Sequence, residues 1–184
     1  EELSLAMSVR FLTVAAMLPL FPLHGLYVAA LVRTRGSVAI GLVIIMPTAG
    51  LYGVGDLLEG LPPESLSGIR MLALSGALYG TVRALVQSRA IPLLAYASLS
   101  FYSVLWWHMS SARTLSTQAA VYFIAVVLTT SGILLAWYRL QVRYGDLAKR
   151  LPPGIVSVEA AFAYDVVSGQ GRLIGERVRR QYGE

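Results

Sequence analysis

The fold is decided by the segment at residues 37–58, SVAIGLVIIMPTAGLYGVGDLL, in which Asp56 is the single charged residue. A bilayer core about 30 Å thick needs about 20 apolar residues in one helix. This segment is therefore long and apolar enough to cross a membrane. In the whole chain of 184 residues, 56% are hydrophobic and 14% are charged. Because soluble domains carry about 25% charged residues, the composition excludes an ordinary soluble globule and a disordered chain.

Four further segments on both sides of this stretch have the same character, at about residues 3–20, 66–87, 91–108 and 117–140. We therefore predict an all-α integral membrane protein with five transmembrane helices in a membrane domain that covers residues 1–140. The stretch Leu23–Leu31 is apolar but too short to span a bilayer. We interpret it as an interfacial or re-entrant piece.

Residues 141–184 differ from the membrane domain in composition. A helix-breaking Leu151-Pro152-Pro153-Gly154 follows a basic linker, and apolar residues then recur at helical spacing between charged ones. This pattern predicts a C-terminal amphipathic helix at the cytoplasmic membrane interface or on a soluble partner, which residues 155–182 would contact. A solvated tail is the alternative.

Loop charges predict the topology. One set of chain ends and loops is acidic, with Glu1, Glu2, Asp56, Glu59 and Glu64; the other is basic, with Arg33, Arg35, Arg89, Arg139, Arg143, Lys149 and Arg150. Cytoplasmic loops carry the excess of basic residues. We therefore expect the N-terminus outside and the C-terminus in the cytoplasm, in the bacterial inner (plasma) membrane.

Ionisable side chains are scarce inside the predicted helices. Proton and ion transport needs such groups at membrane depth, yet no Asp or Glu occurs between Leu3 and Gly55 or between Ser65 and Gly145. Arg10 is a deep cation that either pairs with an acid of a partner chain or reaches the membrane interface. The polar residues Thr48, Ser98 and Ser100 either join helices or line a hydrated path.

Proline and glycine mark places where helices bend or pack closely. Pro47 stands in the middle of its span, where it predicts a helix break or a kink. The pair Gly76-x-x-x-Gly80 and the run Gly50, Gly53, Gly55 allow close approach of helix backbones.

Enzyme signatures do not occur in the sequence. It has no cysteine, and its two histidines, His24 and His108, have no further metal ligands beside them. It also lacks a phosphate-binding glycine loop and a nucleophile elbow. We therefore predict no catalytic residues, no metal, no cofactor and no nucleic-acid partner.

Several short motifs carry a resemblance. Pro19-Leu20-Phe21-Pro22-Leu23-His24-Gly25 is similar to "P-L-F-P-F-H-G", and Gly36-Ser37-Val38 with Tyr52-Gly53 is similar to "G-S-V…Y-G". Leu93-Leu94-Ala95-Tyr96-Ala97-Ser98 is similar to "R-L-I-A-Y-S-S". These motifs resemble those of the antiporter-like membrane subunits of respiratory complex I and of multisubunit sodium/proton antiporters. Such subunits carry about fourteen helices, so the resemblance covers a middle portion of them.

The departures from this family concern its proton relay. Met17, Met46 and Ile91 stand where the family has lysines, and Phe101 stands where it has a histidine. None of these side chains exchanges a proton near neutral pH. The resemblance therefore implies a partial, degenerate copy that keeps the scaffold and has lost the relay.

Three functions are compatible with these observations. The first is a non-pumping structural or accessory subunit of a larger ion-translocating or electron-transfer membrane complex, bound to other membrane subunits and to lipid. The resemblance implies a proton-translocating NADH-quinone-oxidoreductase-like or antiporter complex. The second is a conducting transporter component whose ionisable groups come from partner chains. The third is an unrelated small membrane anchor or assembly factor.

Overall fold

A computed structural model of the protein describes residues 2–34 and 36–148. Within these residues every regular element is a helix, which confirms the predicted all-α class for this part of the chain. The helices are α1 (Glu2–Met17), α2 (Gly25–Arg33), α3 (Ser37–Gly60), α4 (Pro63–Leu85), α5 (Ala90–Ala112) and α6 (Thr117–Ala148). The predicted amphipathic helix after residue 154 lies outside the described residues.

Three helices are long and apolar enough to cross a membrane, over Ser37–Gly60, Ala90–Ala112 and Thr117–Val142. The chain is therefore an integral membrane protein. Two of the five predicted spans are not both long and apolar enough. The apolar part of α1 covers only Leu5–Met17, and α4 carries Arg70 and Arg83, which lower its apolar character.

Helix ends follow from local chemistry. α1 ends earlier than the predicted residue 20 because Pro19 disfavours helical geometry in the residue before it. α4 begins with Pro63 at its first position, where the missing N–H costs no hydrogen bond. α5 continues past the predicted residue 108 to Ala112, and Arg113 closes it in the left-handed conformation at φ 60°.

Glycines bring α1 and α3 together as an antiparallel pair. A Cβ atom on Gly50 would lie 2.5 Å from the backbone nitrogen of Leu18, and one on Gly53 would lie 2.7 Å from a methyl group of Val14. The predicted close approach is confirmed at these two positions, whereas Gly55 has no neighbour within 4 Å.

The second glycine pair joins α4 to α5, also antiparallel. A Cβ atom on Gly76 would lie 2.6 Å from Ser103 Oγ. One on Gly80 would lie 2.9 Å from the carbonyl oxygen of Tyr96 and from the backbone nitrogen of Ser100. The approach predicted from Gly76-x-x-x-Gly80 is thus confirmed. It gives two backbones in van der Waals contact, as small residues do in membrane helices.

These contacts place charges of opposite sign at opposite ends of the helices. Asp56 and Glu59 in the last two turns of α3 and Glu64 in the first turn of α4 share one end. Arg83 in the last turn of α4 and Arg89 before α5 share the other end.

Two compact units divide the chain, Glu1–Leu135 and Ala136–Glu184, and the candidate site lies in the first. Its largest fully buried side chains include Trp106, Tyr27, Tyr102 and Leu18. They lie where the connection between α1 and α2 packs on α5. The backbone of this connection is not helical.

Candidate functional site

The chain leaves helical geometry between Met17 and Gly25, and we call residues 18–24 the helix break. Two prolines, Pro19 and Pro22, cause it, because each lacks the N–H that would continue a helix. The last turn loosens as a result, with Leu20 N–H donating to the carbonyl of Ala15 at 3.0 Å. This is the carbonyl that Pro19 cannot serve in the ordinary i to i−4 pattern.

The break lies near the middle of the neighbouring membrane helix. Gly50, which meets the backbone of Leu18, is the fourteenth residue of the 24-residue α3. Non-helical backbone at membrane depth is tolerated only where it is buried in protein or lines a cavity. Leu18, Pro19 and Leu20 are all buried, so the first part of the break satisfies this condition, whereas Pro22 in its second part is exposed.

A side chain from α5 completes the hydrogen bonding of the break. In a continuous helix the carbonyl of Leu18 would accept from residue 22, which is a proline. Instead the indole Nε1–H of Trp106 donates to this carbonyl at 3.0 Å. The ring of Phe11 packs edge-on against Trp106 with centroids 6.3 Å apart. The two carbonyls that lose their helical donors to the prolines thus each accept a hydrogen bond from another group.

Tyr27, Ser98 and Tyr102, which we call the hydroxyl cluster, form the polar interior beside the break. All three side chains are fully buried. The hydroxyls of Tyr27 and Ser98 are hydrogen-bonded at 3.2 Å, and Ser98 also donates to the carbonyl of Ala95 at 3.0 Å. The Tyr102 ring stands perpendicular to that of Tyr27 at 6.1 Å. Its buried hydroxyl has no hydrogen-bond partner in the described residues.

Phe21, His24, Tyr79 and Tyr96 form a second group, the aromatic cluster, where the break meets the end of α4 and the start of α5. Phe21 stacks on His24 at 5.8 Å, and Tyr79 lies 5.2 Å from each of these rings. The guanidinium of Arg83 lies 5.4 Å above the ring of Tyr96.

Arg10 and Thr48 lie on surfaces of α1 and α3. Arg10 is exposed and lies between Val14, which is opposite Gly53, and Met7, which is opposite Gly60. Because Gly60 ends α3, Arg10 is level with the last turns of that helix rather than with its middle. Thr48 is exposed near the middle of α3, and its hydroxyl donates to the carbonyl of Ile44.

Ser98 and Ser100 lie on α5 in different surroundings. Ser98 belongs to the hydroxyl cluster, whereas Ser100 lies between α4 and α5. The Ser100 hydroxyl donates to the carbonyl of Ala77 at 3.0 Å and lies 2.9 Å from the Thr81 hydroxyl. Among the described residues, hydrogen bonds do not join Arg10, Thr48, Ser98 and Ser100 to one another. Thr48, Ser98 and Ser100 each bond to neighbours of their own.

The four positions at which the resemblance predicted a lost relay lie apart from one another in the structure. Met17 directly precedes the break, and Met46 lies one turn from Gly50, so both are near mid-depth. Phe101 is at the centre of α5, 47% exposed, and its carbonyl accepts a hydrogen bond from Tyr122 of α6 at 3.2 Å. Ile91 is the second residue of α5 and therefore lies at a helix end.

Pro47 does not break its helix, which corrects the break expected at this position. α3 is continuous from Ser37 to Gly60, with Pro47 buried inside it. A single proline removes one donor, from the carbonyl of Val43, and the surrounding helix accommodates that loss. The discontinuity is instead at residues 18–24, where two prolines stand three residues apart.

Sequence reasoning did not identify Trp106, Tyr27 or Tyr102 as site residues. The two prolines of the break were the available signal in the sequence. Each leaves a carbonyl without its helical N–H donor, and a buried carbonyl then needs a donor from elsewhere in the fold.

The chemistry of this region is that of neutral donors and acceptors. In the described part of the chain, the buried polar residues of the Ser, Thr and charged types are Ser98, Ser103, Ser110 and Thr130, all hydroxyls. His24 and His108 belong to no group of three or more metal-ligating side chains among the described residues. The arrangement can fix backbone geometry and hold hydroxyl protons, and it offers no buried carboxylate or amine.

Comparisons with known proteins point to one family. Over 113 residues the chain is 28% identical to a protein named NADH-quinone oxidoreductase subunit N from Pelobacter propionicus. The match covers 60% of this chain and 24% of that protein, so the chain spans about a quarter of the length of this curated relative. No family model matches the sequence. No solved structure matches it either. The similarity agrees, at the level of the family, with the resemblance to antiporter-like subunits of complex I.

Proposed function

We propose that the chain is a non-pumping structural subunit of a complex I-like or antiporter assembly. The observation that carries this proposal is the chemistry of the helix break. At the depth where proton transport needs an ionisable group, the Trp106 indole donates to the break, and the hydroxyls of Tyr27 and Ser98 are hydrogen-bonded beside it. Neither the indole nor these hydroxyls exchange protons near neutral pH.

The loss of the relay is part of the same proposal. Met17 and Met46 occupy the levels at which family lysines are expected, beside the break and one turn from its contact with Gly50. A thioether accepts hydrogen bonds only weakly and has no proton to exchange. The scaffold of the family would thus persist with its charged groups replaced by apolar ones.

The proposal includes five membrane crossings. α1, the break and α2 together would make the first, and α3, α4, α5 and α6 the others. α4 would cross because it packs along the apolar α5 through Gly76 and Gly80. Arg70 and Arg83 would extend to the two interfaces, as long cationic side chains do near helix ends. The N-terminus would then face the outside and residues 155–182 the cytoplasm.

Other membrane subunits would cover the remaining apolar surfaces. Exposed large residues recur on α1 and α6, among them Leu5, Val9, Leu12, Val121, Ile124 and Leu128. Membrane subunits or lipid would fit these surfaces, and Arg10 beside Val9 would meet either an acidic partner side chain or headgroups.

Mild-detergent purification from the native membrane tests the proposal. We expect antiporter-like subunits with intact membrane lysines and glutamates to co-purify in a fixed ratio, and cross-links from α1 or α6 to reach them. Recovery of the chain free of such subunits, with no cross-links, would contradict it.

A conducting component is the second candidate, and the hydroxyl of Tyr102 favours it. This hydroxyl is buried beside Tyr27 without a hydrogen-bond partner in the described residues, so a water could join it to the Tyr27–Ser98 pair. In the purified assembly, Tyr27→Phe and Ser98→Ala would then slow proton transport. The structural proposal expects the transport rate to stay unchanged.

A further inference from the structure

We propose that the end of α4 and the start of α5 form a binding site for the phosphate of an anionic phospholipid, with Arg83 as its central cation. The site combines a positioned guanidinium, neighbouring phenols and an exposed apolar helix face, which match the headgroup and the acyl chain of a lipid. It rests on the proposed membrane crossing of α4, and two of its rings, Phe21 and His24, belong to the helix break.

The guanidinium of Arg83 is exposed and lies 5.4 Å above the ring of Tyr96. It is hydrogen-bonded to the side chains of Tyr96 and Tyr79, which use only some of its N–H donors. The N–H bonds of arginine lie in the plane and form a fork that matches phosphate oxygens. Arg83 makes no ion pair with a carboxylate among the described residues, because the acids there lie at the other helix ends.

The aromatic cluster fixes where this cation is held. Tyr96 packs against Tyr79 at 6.2 Å, and Tyr79 packs against His24 and Phe21 at 5.2 Å each. Four rings thus hold the surface under the guanidinium. Arg89 precedes the first turn of α5 and adds a second exposed cation near the positive end of the helix dipole.

The depth of the site suits a lipid headgroup. Arg83 lies one turn beyond Gly80, within the last turn of α4, which is where the proposed crossing would leave the hydrocarbon. Toward the centre of the membrane α4 exposes an apolar row at helical spacing, with Leu74, Leu78 and Val82 between 52% and 69% exposed. An acyl chain would lie along this row while its phosphate met Arg83, and clustered basic residues beside membrane helices bind anionic lipids in this way.

The test uses the full chain in its purified assembly, in mixed micelles that contain phosphatidylglycerol or phosphatidylcholine. Native mass spectrometry counts the lipids retained by the wild type, by Arg83→Gln and by Arg70→Gln. Arg70 is the matched control, since it is an exposed arginine near the other end of the same helix. We expect Arg83→Gln to lower phosphatidylglycerol retention about fivefold, the order expected for one arginine at a lipid surface. Arg70→Gln should leave it unchanged.

Further arms separate the alternatives. Phosphatidylcholine should be retained weakly and equally by all three proteins, and millimolar inorganic phosphate should not displace phosphatidylglycerol. Equal retention of phosphatidylglycerol by wild type and Arg83→Gln would overturn the proposal, as would displacement by inorganic phosphate. Loss of partner subunits in Arg83→Gln without loss of lipid would assign the patch to a protein contact instead. The structural function stands or falls with co-purification of the wild type, so the two proposals fail separately.

Discussion

Two proline-containing regions meet near the middle of the membrane helices, and only one of them interrupts its helix. The break between α1 and α2 contains Pro19 and Pro22, whereas α3 continues through Pro47. They touch directly, since Gly50 allows the backbone of Leu18 to lie against α3. The same residue type thus has two outcomes at about the same depth in one protein.

The difference lies in how many carbonyls lose their donors and what replaces them. Pro47 withholds a donor from the carbonyl of Val43 alone, and the helix continues. The paired prolines of the break withhold donors from Ala15 and Leu18, and the chain leaves helical geometry. Leu20 N–H and the Trp106 indole serve these two carbonyls. An interruption at membrane depth is therefore stable only when other groups in the fold supply the missing donors.

The largest expected effect comes from separating the two regions. Gly50→Ala would place a Cβ atom 2.5 Å from the backbone nitrogen of Leu18, so the break and α3 would have to move apart. We expect a loss of about 3 kcal/mol in the free energy of unfolding, at the upper end for overpacking. Unfolding by SDS in mixed micelles, followed by circular dichroism, measures it.

Gly55→Ala is the matched control for this change, because a Cβ atom there has no neighbour within 4 Å. It should leave stability unchanged or raise it slightly, since alanine favours a helix more than glycine does. Equal stability of the two variants would show that the close approach does not hold the regions together.

Removal of the donor at the break should have the next largest effect. Trp106→Phe leaves the buried carbonyl of Leu18 without a partner, which costs about 1–3 kcal/mol in addition to the lost packing. The control is Trp107→Phe, because that side chain is half exposed. The same unfolding assay compares them. A difference between the two variants below about 0.5 kcal/mol would mean that the indole bond does not stabilise the break.

Restoring the N–H donor that α3 lacks at Pro47 should change the free energy of unfolding only slightly. Pro47→Ala returns an N–H to the carbonyl of Val43 and relieves the crowding around the proline ring. Because α3 is already continuous, we expect unfolding to shift by less than about 1 kcal/mol, toward greater stability. Hydrogen exchange of the α3 amides should slow locally. A large destabilisation would indicate that the proline at this position shapes the packing against the break.

Much of this arrangement was predictable from local sequence, and some of it was not. The glycines at positions 50, 53, 76 and 80 predicted that helices approach closely there, because a glycine inside an apolar helix leaves room for the backbone of a neighbouring helix. The position of the discontinuity was not predictable from one proline at a time. It depends on Trp106, which is 88 residues away from Leu18 along the chain. The depth of Arg10 in the membrane was not predictable from the sequence either, because it depends on how α1 pairs with α3.

The candidate site was predictable in its chemistry more than in its geometry. The scarcity of acids and amines in the apolar segments follows from the residue types alone. The sequence also indicated Ser98 as a polar residue at depth, yet its partner Tyr27 lies on the short helix after the break, 71 positions away. Contacts of this kind depend on how the interrupted chain folds back on α5, which no local pattern records.

The most direct test of the central claim measures proton flux through the chain itself. The purified protein is reconstituted alone into vesicles with an internal pH-sensitive dye, and an imposed pH gradient is followed over time beside protein-free vesicles. Because the described helices bury no carboxylate or amine near the level of the helix break, the gradient should decay at the rate of the protein-free vesicles. Faster decay that disappears in Tyr27→Phe or Ser98→Ala would contradict the account, because the hydroxyl cluster would then conduct protons.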